Sequence, residues 1–212
     1  SSPPPATNRS TIFPSTSNLS LKTKMSAEKT IHVLGFAGSL RQRSYNKALL
    51  KAAATLLPNG MTLECFDLID IPFYNADVEA AGLPTAVAQF HNRIRHADAL
   101  LIASPEYNYS VTGVVKNALD WASRRGTGER SLLGGKTAAI IGSGGISGTL
   151  RAQLHLREIL AHNEVYVRRQ SLMLARGYTH FDDNLNLTNE SSRERLEKLL
   201  VALQNWTIRL RE

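Results

Sequence analysis

The stretch Ile31-His32-Val33-Leu34-Gly35-Phe36-Ala37-Gly38-Ser39-Leu40-Arg41-Gln42-Arg43-Ser44-Tyr45-Asn46 decides the fold. Ile31 to Phe36 is a short apolar run ending among glycines, the pattern of a strand buried on both faces. A helix is predicted from Ser44 to Leu57. Leu49, Leu50, Ala53 and Leu57 fall on one of its faces, and Pro58-Asn59-Gly60 stops it. A strand, a glycine turn and a helix N-terminus therefore follow one another within a few residues.

The same alternation continues outward. Strands are expected at Thr62–Asp67, Ala99–Ala103, Thr137–Ile141 and Val165–Val167. Between them, Val87, Phe90, Ile94 and Ala97 mark one helix, and Val114, Val115, Ala118, Leu119 and Ala122 another. Leu150 to Leu160 is a third, and Leu196, Leu199, Leu203, Trp206 and Leu210 step along a long final helix. Continuous apolar strands alternating with helices imply a parallel sheet covered on both faces. The expected fold is α/β, a flavodoxin-like three-layer sandwich with five parallel strands in the order 2-1-3-4-5. Its ligand belongs beyond the carboxyl ends of strands 1, 3 and 4.

Residues 1–28 read as a disordered Ser/Thr/Pro-rich tail, since fourteen of the first 24 are Ser, Thr or Pro. Without periodic apolar residues nothing offsets the entropy of ordering them. A targeting segment, an added leader and a native extension all fit that composition. Residues 29–212 form the single folded domain. Lys+Arg is 25 against Asp+Glu 18, a net charge of +7, with 42% hydrophobic residues. This composition excludes a disordered chain, a coiled coil and a collagen. No run approaches the ~18 apolar residues of a membrane span. One cysteine, Cys65, excludes an internal disulfide framework and a Cys-rich zinc site, and fits a reducing, cytoplasmic setting. Arg9, Lys22 and Lys24 in the tail supply three of the seven charges, so the domain itself is too mildly basic for a nucleic-acid binder.

Three loops at the predicted ligand edge carry chemistry. In Gly35–Asn46, glycines turn the chain into a helix N-terminus, where free amides and the helix dipole favour an anion. Ser39, Ser44 and Asn46 add short polar groups; Arg41 and Arg43 add charge. Read alone, the loop is equally a glycine turn with Ser44 as N-cap. Ser104-Pro105-Glu106-Tyr107-Asn108-Tyr109-Ser110-Val111-Thr112-Gly113 places aromatic and polar groups where a planar ring could lie. Gly142-Ser143-Gly144-Gly145-Ile146-Ser147-Gly148 suits close backbone approach to a ligand. Together they suit a flat ring bearing one phosphate. Cys65 reads as core, and no histidine pair has metal-ligand spacing.

The segments Gly38–Asn46, Ser104–Ser110, Lys116–Ser123 and Arg151–Leu160 resemble the NADPH-dependent FMN reductases, in the branch of soluble quinone, chromate and azo reductases. The resemblance runs from about Ile31 to the C-terminus. It implies FMN as cofactor, with Ser39, Arg41, Ser44, Tyr45 and Asn46 on the phosphate. Pro105, Glu106, Tyr107, Asn108 and Tyr109 would line the ring, and Ser143, Gly144 and Gly145 would close its polar edge. No catalytic side chain and no metal are expected. The implied reaction is two-electron hydride transfer, by ping-pong kinetics, from NADPH or NADH to small acceptors: quinones, flavins, azo compounds and chromate. A flavodoxin-type electron carrier, or a flavin-binding module without steady reductase activity, is the alternative. The resemblance also implies a homodimer or homotetramer, with Trp121, Arg124 and Arg125 at the subunit contact. One departure is Thr112, where the family usually has proline, a change expected to loosen the ring loop.

Overall fold

The computed structural model describes residue 2, residues 30–124 and residues 131–211. The expected tail, apart from residue 2, and Arg125 lie outside the described residues. Strands β1 (Ile31–Ala37), β2 (Met61–Phe66), β3 (Ala99–Ala103), β4 (Thr137–Ser143) and β5 (Tyr166–Val167) form a parallel sheet in the order β2-β1-β3-β4-β5. Helices α1 (Tyr45–Thr55), α2 (Ala76–Ala81), α3 (Thr85–His96), α4 (Gly113–Ala122), α5 (Leu150–His162) and α6 (Glu190–Arg209) connect or follow the strands. The order is the one predicted.

Side chains alternate across the sheet, so neighbours in one strand enter different cores. Val33, Leu101 and Ile141 pack with Leu49, Leu199 and Leu203 of α1 and α6. Leu34, Leu100, Ile102 and Ile140 pack with Phe90, Leu119 and Leu156 of α3, α4 and α5. All five residues of β3 are buried, which is why that strand reads as unbroken apolar sequence.

The fifth strand departs from expectation. The outer side of β4 is shared by two short strands. β5 meets it at Thr137 and Ala138, and β6 (Leu172–Leu174) meets it at Ile141 to Ser143. Between them lies Arg168-Arg169-Gln170-Ser171, whose side chains cannot fill a buried strand, so the chain leaves the sheet and returns. Helix α2 also has no apolar signature: none of its six residues is buried, and it is held by Asn75, whose side chain accepts from Asp77 N at 2.8 Å.

Candidate functional site

The carboxyl ends of β1, β3 and β4 lie side by side, with Ala37 opposite Ala103 and Ala103 opposite Ile141. The first loop leaves β1 at Gly38, whose amide donates to Ala103 O at 2.8 Å. A Cβ on Gly38 would lie 2.5 Å from Val115 Cγ2 and 2.6 Å from Thr112 Oγ1, so only glycine fits. Ser44 is the N-cap of α1; its Oγ accepts from Asn46 N at 3.2 Å and Lys47 N at 3.3 Å. Its hydroxyl proton is still free to be donated. Among the described residues, the amides of residues 39 to 43 find no protein acceptor. Ser39 is buried beside them, and Arg41 is exposed with no ion pair among the described residues. Arg43 donates to Asp183 O at 2.7 Å. Backbone donors at a helix N-terminus with a cation at the rim form a cradle whose chemistry suits an anion.

Asn46 does something else. Its Nδ2 donates to Ser143 O and its Oδ1 accepts from Ser143 N, both at 2.9 Å. With this donor–acceptor pair the carboxamide ties α1 to the end of β4. Tyr45 stacks on Phe181 at 5.1 Å.

The second loop makes a tight turn. Tyr107 and Ser110 exchange backbone hydrogen bonds at 3.1 and 3.0 Å, and Asn108 and Tyr109 between them have φ of 49° and 60°. Two consecutive left-handed residues without glycine need outside support. Helix α5 provides it. Thr149, the α5 N-cap, makes no side-chain cap bond. Glu106 caps the helix instead: its Oε2 accepts from Arg151 N at 2.8 Å and Ala152 N at 3.1 Å, while Ser147 Oγ donates to Oε1 at 3.3 Å. A carboxylate is well suited to those amides. The Arg151 guanidinium lies 4.2 Å over the Tyr109 ring, and Ser110 Oγ is 2.9 Å from His155 Nδ1. The Glu106 side chain thus serves α5, while Tyr107 and Tyr109 remain exposed at the edge. Thr112 does not loosen this loop. It is buried and caps α4, its Oγ1 accepting from Val115 N at 3.4 Å, a bond proline could not make.

In the third loop, Gly148 N donates to Gly145 O at 3.1 Å. A Cβ on Gly144 would lie 2.1 Å from Gly148 O, and one on Gly142 2.5 Å from Ser104 O. The amides of Ser143 and Gly144 are taken by Asn46 and Leu174. Among the described residues the amides of Gly145, Ile146 and Ser147 find no protein acceptor, and Ser143 Oγ is buried without a hydrogen-bond partner.

A fourth loop, 175–183, was not foreseen. Arg176 N donates to Gly145 O at 2.8 Å and Gly177 N to Gly144 O at 2.9 Å. Gly177 approaches so closely that a Cβ would lie 2.3 Å from Ser143 Oγ. Its sequence signal is a glycine just after a short apolar run, as at the other loops, but Leu172-Met173-Leu174 is too short to read as a strand.

Two further expectations are corrected. Cys65 is exposed on β2, at the sheet's edge, rather than in the core. Partial enclosure, and then Glu64, push its thiol above the usual range, which opposes a nucleophilic thiolate. Trp121 is fully buried, its Nε1 donating to Pro72 O at 2.8 Å, so it cannot be a subunit contact. Among the described residues no three His, Cys, Asp or Glu side chains could hold a metal, and no helix is long and apolar enough to cross a membrane.

The residues fit FMN on three observations: unpartnered amides at a helix N-terminus, an orphaned buried hydroxyl at Ser143, and exposed tyrosines between them. A doubly wound sheet with these donors at its switch point defines a flavodoxin-like, mononucleotide-binding protein. The chain belongs to the NADPH-dependent FMN reductase family, whose model matches residues 31–179. It is 48% identical over 183 residues to an NAD(P)H-dependent FMN reductase of Pseudomonas aeruginosa, covering 85% of this chain and 97% of that one. It is 39% identical over 194 residues to an NAD(P)H:quinone oxidoreductase of Solanum tuberosum, covering 88% and 98% of the two chains. Among solved structures it matches the flavoenzyme NAD(P)H:(acceptor) oxidoreductase FerB of Paracoccus denitrificans with a TM-score of 0.76 and 30% identity, over 85% of this chain and 98% of that chain.

Proposed function

We propose that this protein is an FMN-dependent NAD(P)H oxidoreductase that reduces quinones and similar small acceptors. The observation that carries the reading is the cradle of unpartnered amides over residues 39–43, beside the exposed tyrosines of the 104–110 loop. In this reading the cradle, with Ser39, Arg41 and the Ser44 hydroxyl, holds the FMN phosphate. Tyr45 and Asn46 shape it through Phe181 and Ser143. Pro105 to Tyr109 support the ring, with Glu106 acting by holding the loop to α5. Ser143 Oγ and the Gly145 amide donate to the ring's polar edge. Bound there, FMN supplies two-electron hydride chemistry that side chains lack. The protein's work is to bind and orient both substrates in turn at one open edge. The relatives' names support a nicotinamide donor and a quinone acceptor, and the single cysteine supports a cytoplasmic setting. We further read the protein as a homodimer or homotetramer, and residues 1–28 as a disordered Ser/Thr/Pro-rich tail.

The test is cofactor removal and return. The purified protein is expected to be yellow and to release FMN on heating. Apoprotein should not oxidise NAD(P)H in the presence of a quinone, and added FMN should restore the activity with parallel double-reciprocal lines. FMN-loaded protein that passes electrons but shows no steady NAD(P)H oxidation would make it a carrier. Protein without affinity for FMN would overturn the reading altogether.

A further inference from the structure

Arg176 stands in the left-handed region, with φ 50° and ψ 56°. That conformation is unfavourable for a residue with a Cβ, and glycine adopts it freely. Hydrogen bonds on both sides impose it. Arg176 N donates to Gly145 O at 2.8 Å, and Arg176 O accepts from Thr179 N at 2.8 Å and from Thr179 Oγ1 at 3.0 Å. The next residue, Gly177, donates its amide to Gly144 O at 2.9 Å and lies too close to Ser143 Oγ to carry a side chain. A position that suits glycine holds a long cation instead. Strain of this kind persists where the side chain has a use.

Its place narrows that use. Arg176 and Gly177 lie against Ser143, Gly144 and Gly145, which carry the orphaned Ser143 hydroxyl and the unpartnered Gly145 amide. In the proposed function those two donors meet the polar edge of the ring. Arg176 is exposed, and among the described residues its guanidinium makes no ion pair. Neighbouring charges are engaged elsewhere. Arg151 lies over the Tyr109 ring and 4.0 Å from Glu106, and Arg43 donates to Asp183 O. The Asp182 carboxylate accepts from Asn184 N at 2.9 Å, Asn186 N at 2.8 Å and Asn186 Nδ2 at 3.0 Å. A cation without a counter-charge therefore stands beside the ring-edge donors. Negative charge builds at that edge when a flavin takes up hydride, and a full charge nearby stabilises it more than amide dipoles alone.

We propose that the Arg176 guanidinium faces the polar edge of bound FMN and favours its reduced form, raising the reduction potential. The proposal rests on the reading that these loops hold FMN, and it adds a residue to that site. The hydride comes from NAD(P)H, which leaves as NAD(P)+; Arg176 loses no proton and forms no bond, and shifts only the equilibrium. The experiment is a reductive titration of FMN-loaded protein against a reference dye. Arg176→Gly removes the charge and relaxes the backbone, so its urea midpoint should equal or exceed that of wild type. Its FMN should favour the reduced form about tenfold less, a fall of about 30 mV for a two-electron couple. Sulfite adds to the oxidised ring and leaves negative charge on the same edge, so it should bind this variant about tenfold more weakly. Arg176→Lys keeps the charge and should keep most of the potential. An unchanged potential in Arg176→Gly, or an equal fall in Arg176→Lys, would overturn the proposal while FMN binding stands. A KM rise confined to NADPH, with the potential unchanged, would assign Arg176 to the dinucleotide's extra phosphate and overturn it too. Wild type without affinity for FMN would defeat the reading of the site itself.

Discussion

The 38–44 loop and the 104–110 loop sit on adjacent strands of the same sheet edge, yet they are held by opposite means. The first is defined by what it leaves unpaired: among the described residues, the amides of residues 39–43 are unpartnered and Arg41 has no ion pair. The second is defined by what it ties down: Glu106, Tyr109 and Ser110 reach Arg151, Ala152 and His155 of α5. An anion site needs donors kept free until the ligand arrives. A surface for a planar ring needs a backbone that does not move, even at the cost of two left-handed residues. Damage to the first loop should therefore appear in ligand affinity, and damage to the second in stability.

The largest expected effect is on the first loop. Arg41→Ala should weaken FMN by roughly tenfold to a hundredfold, the loss of about 1.5–3 kcal/mol from one charge-assisted contact. Riboflavin, which lacks the phosphate, should bind as before; isothermal titration of both ligands to apoprotein separates the cases, and an equal loss would move the phosphate elsewhere. On the second loop, Glu106→Ala strips the cap from two amides of α5 and should lower unfolding stability by about 1–3 kcal/mol, measured by urea denaturation. If instead Glu106→Ala weakened FMN as severely as Arg41→Ala while stability held, the contrast between the loops would collapse. Asn108→Leu puts a branched side chain at φ 49° and should destabilise by about 1–2 kcal/mol. It should also shift the visible flavin spectrum, because in the proposed function the turn it disturbs supports the ring. The smallest effect belongs to a site in neither loop. Cys65→Ser should leave turnover with NAD(P)H and a quinone unchanged, since an exposed thiol pushed above its usual range has no part in hydride transfer. Loss of turnover with FMN still bound would call for a protein nucleophile.

How legible each loop was follows from the range of its interactions. Glycines, short polar groups and arginines before a helix lie near one another in the chain, so a loop that could hold an anion is visible locally, though read alone it is equally a capped glycine turn. The structure puts Ser39, Arg41 and Ser44 beside the unpartnered amides. The sheet order was readable too, since β3 is apolar throughout and β1 and β4 are nearly so, as both faces of the central strands are covered. The ties of the second loop were not readable. Glu106 meets its amides 45 and 46 residues away, and nothing local distinguishes a capping carboxylate from one beside a ligand. The same holds for Asn46, whose partner Ser143 is 97 residues distant. Strand β6 and the 175–183 loop escaped because three apolar residues after a polar run carry too little periodicity. Cys65 alternates with Leu63 as a core residue would, but β2 lies at the sheet's edge, where alternation no longer guarantees cover.

The paired hydrogen bonds between Asn46 and Ser143 also bear on folding order. They join the β1–α1 unit to a strand made much later in the chain, with β3 lying between them in the sheet. Long-range closures of this kind come after local structure, because loop entropy must first be overcome. An early folding species could have its glycine turn and helix cap in place and still lack a complete pocket. Ligand capture would then report the finished sheet rather than any fragment of it, and a bound mononucleotide would favour the native state over every partly assembled one.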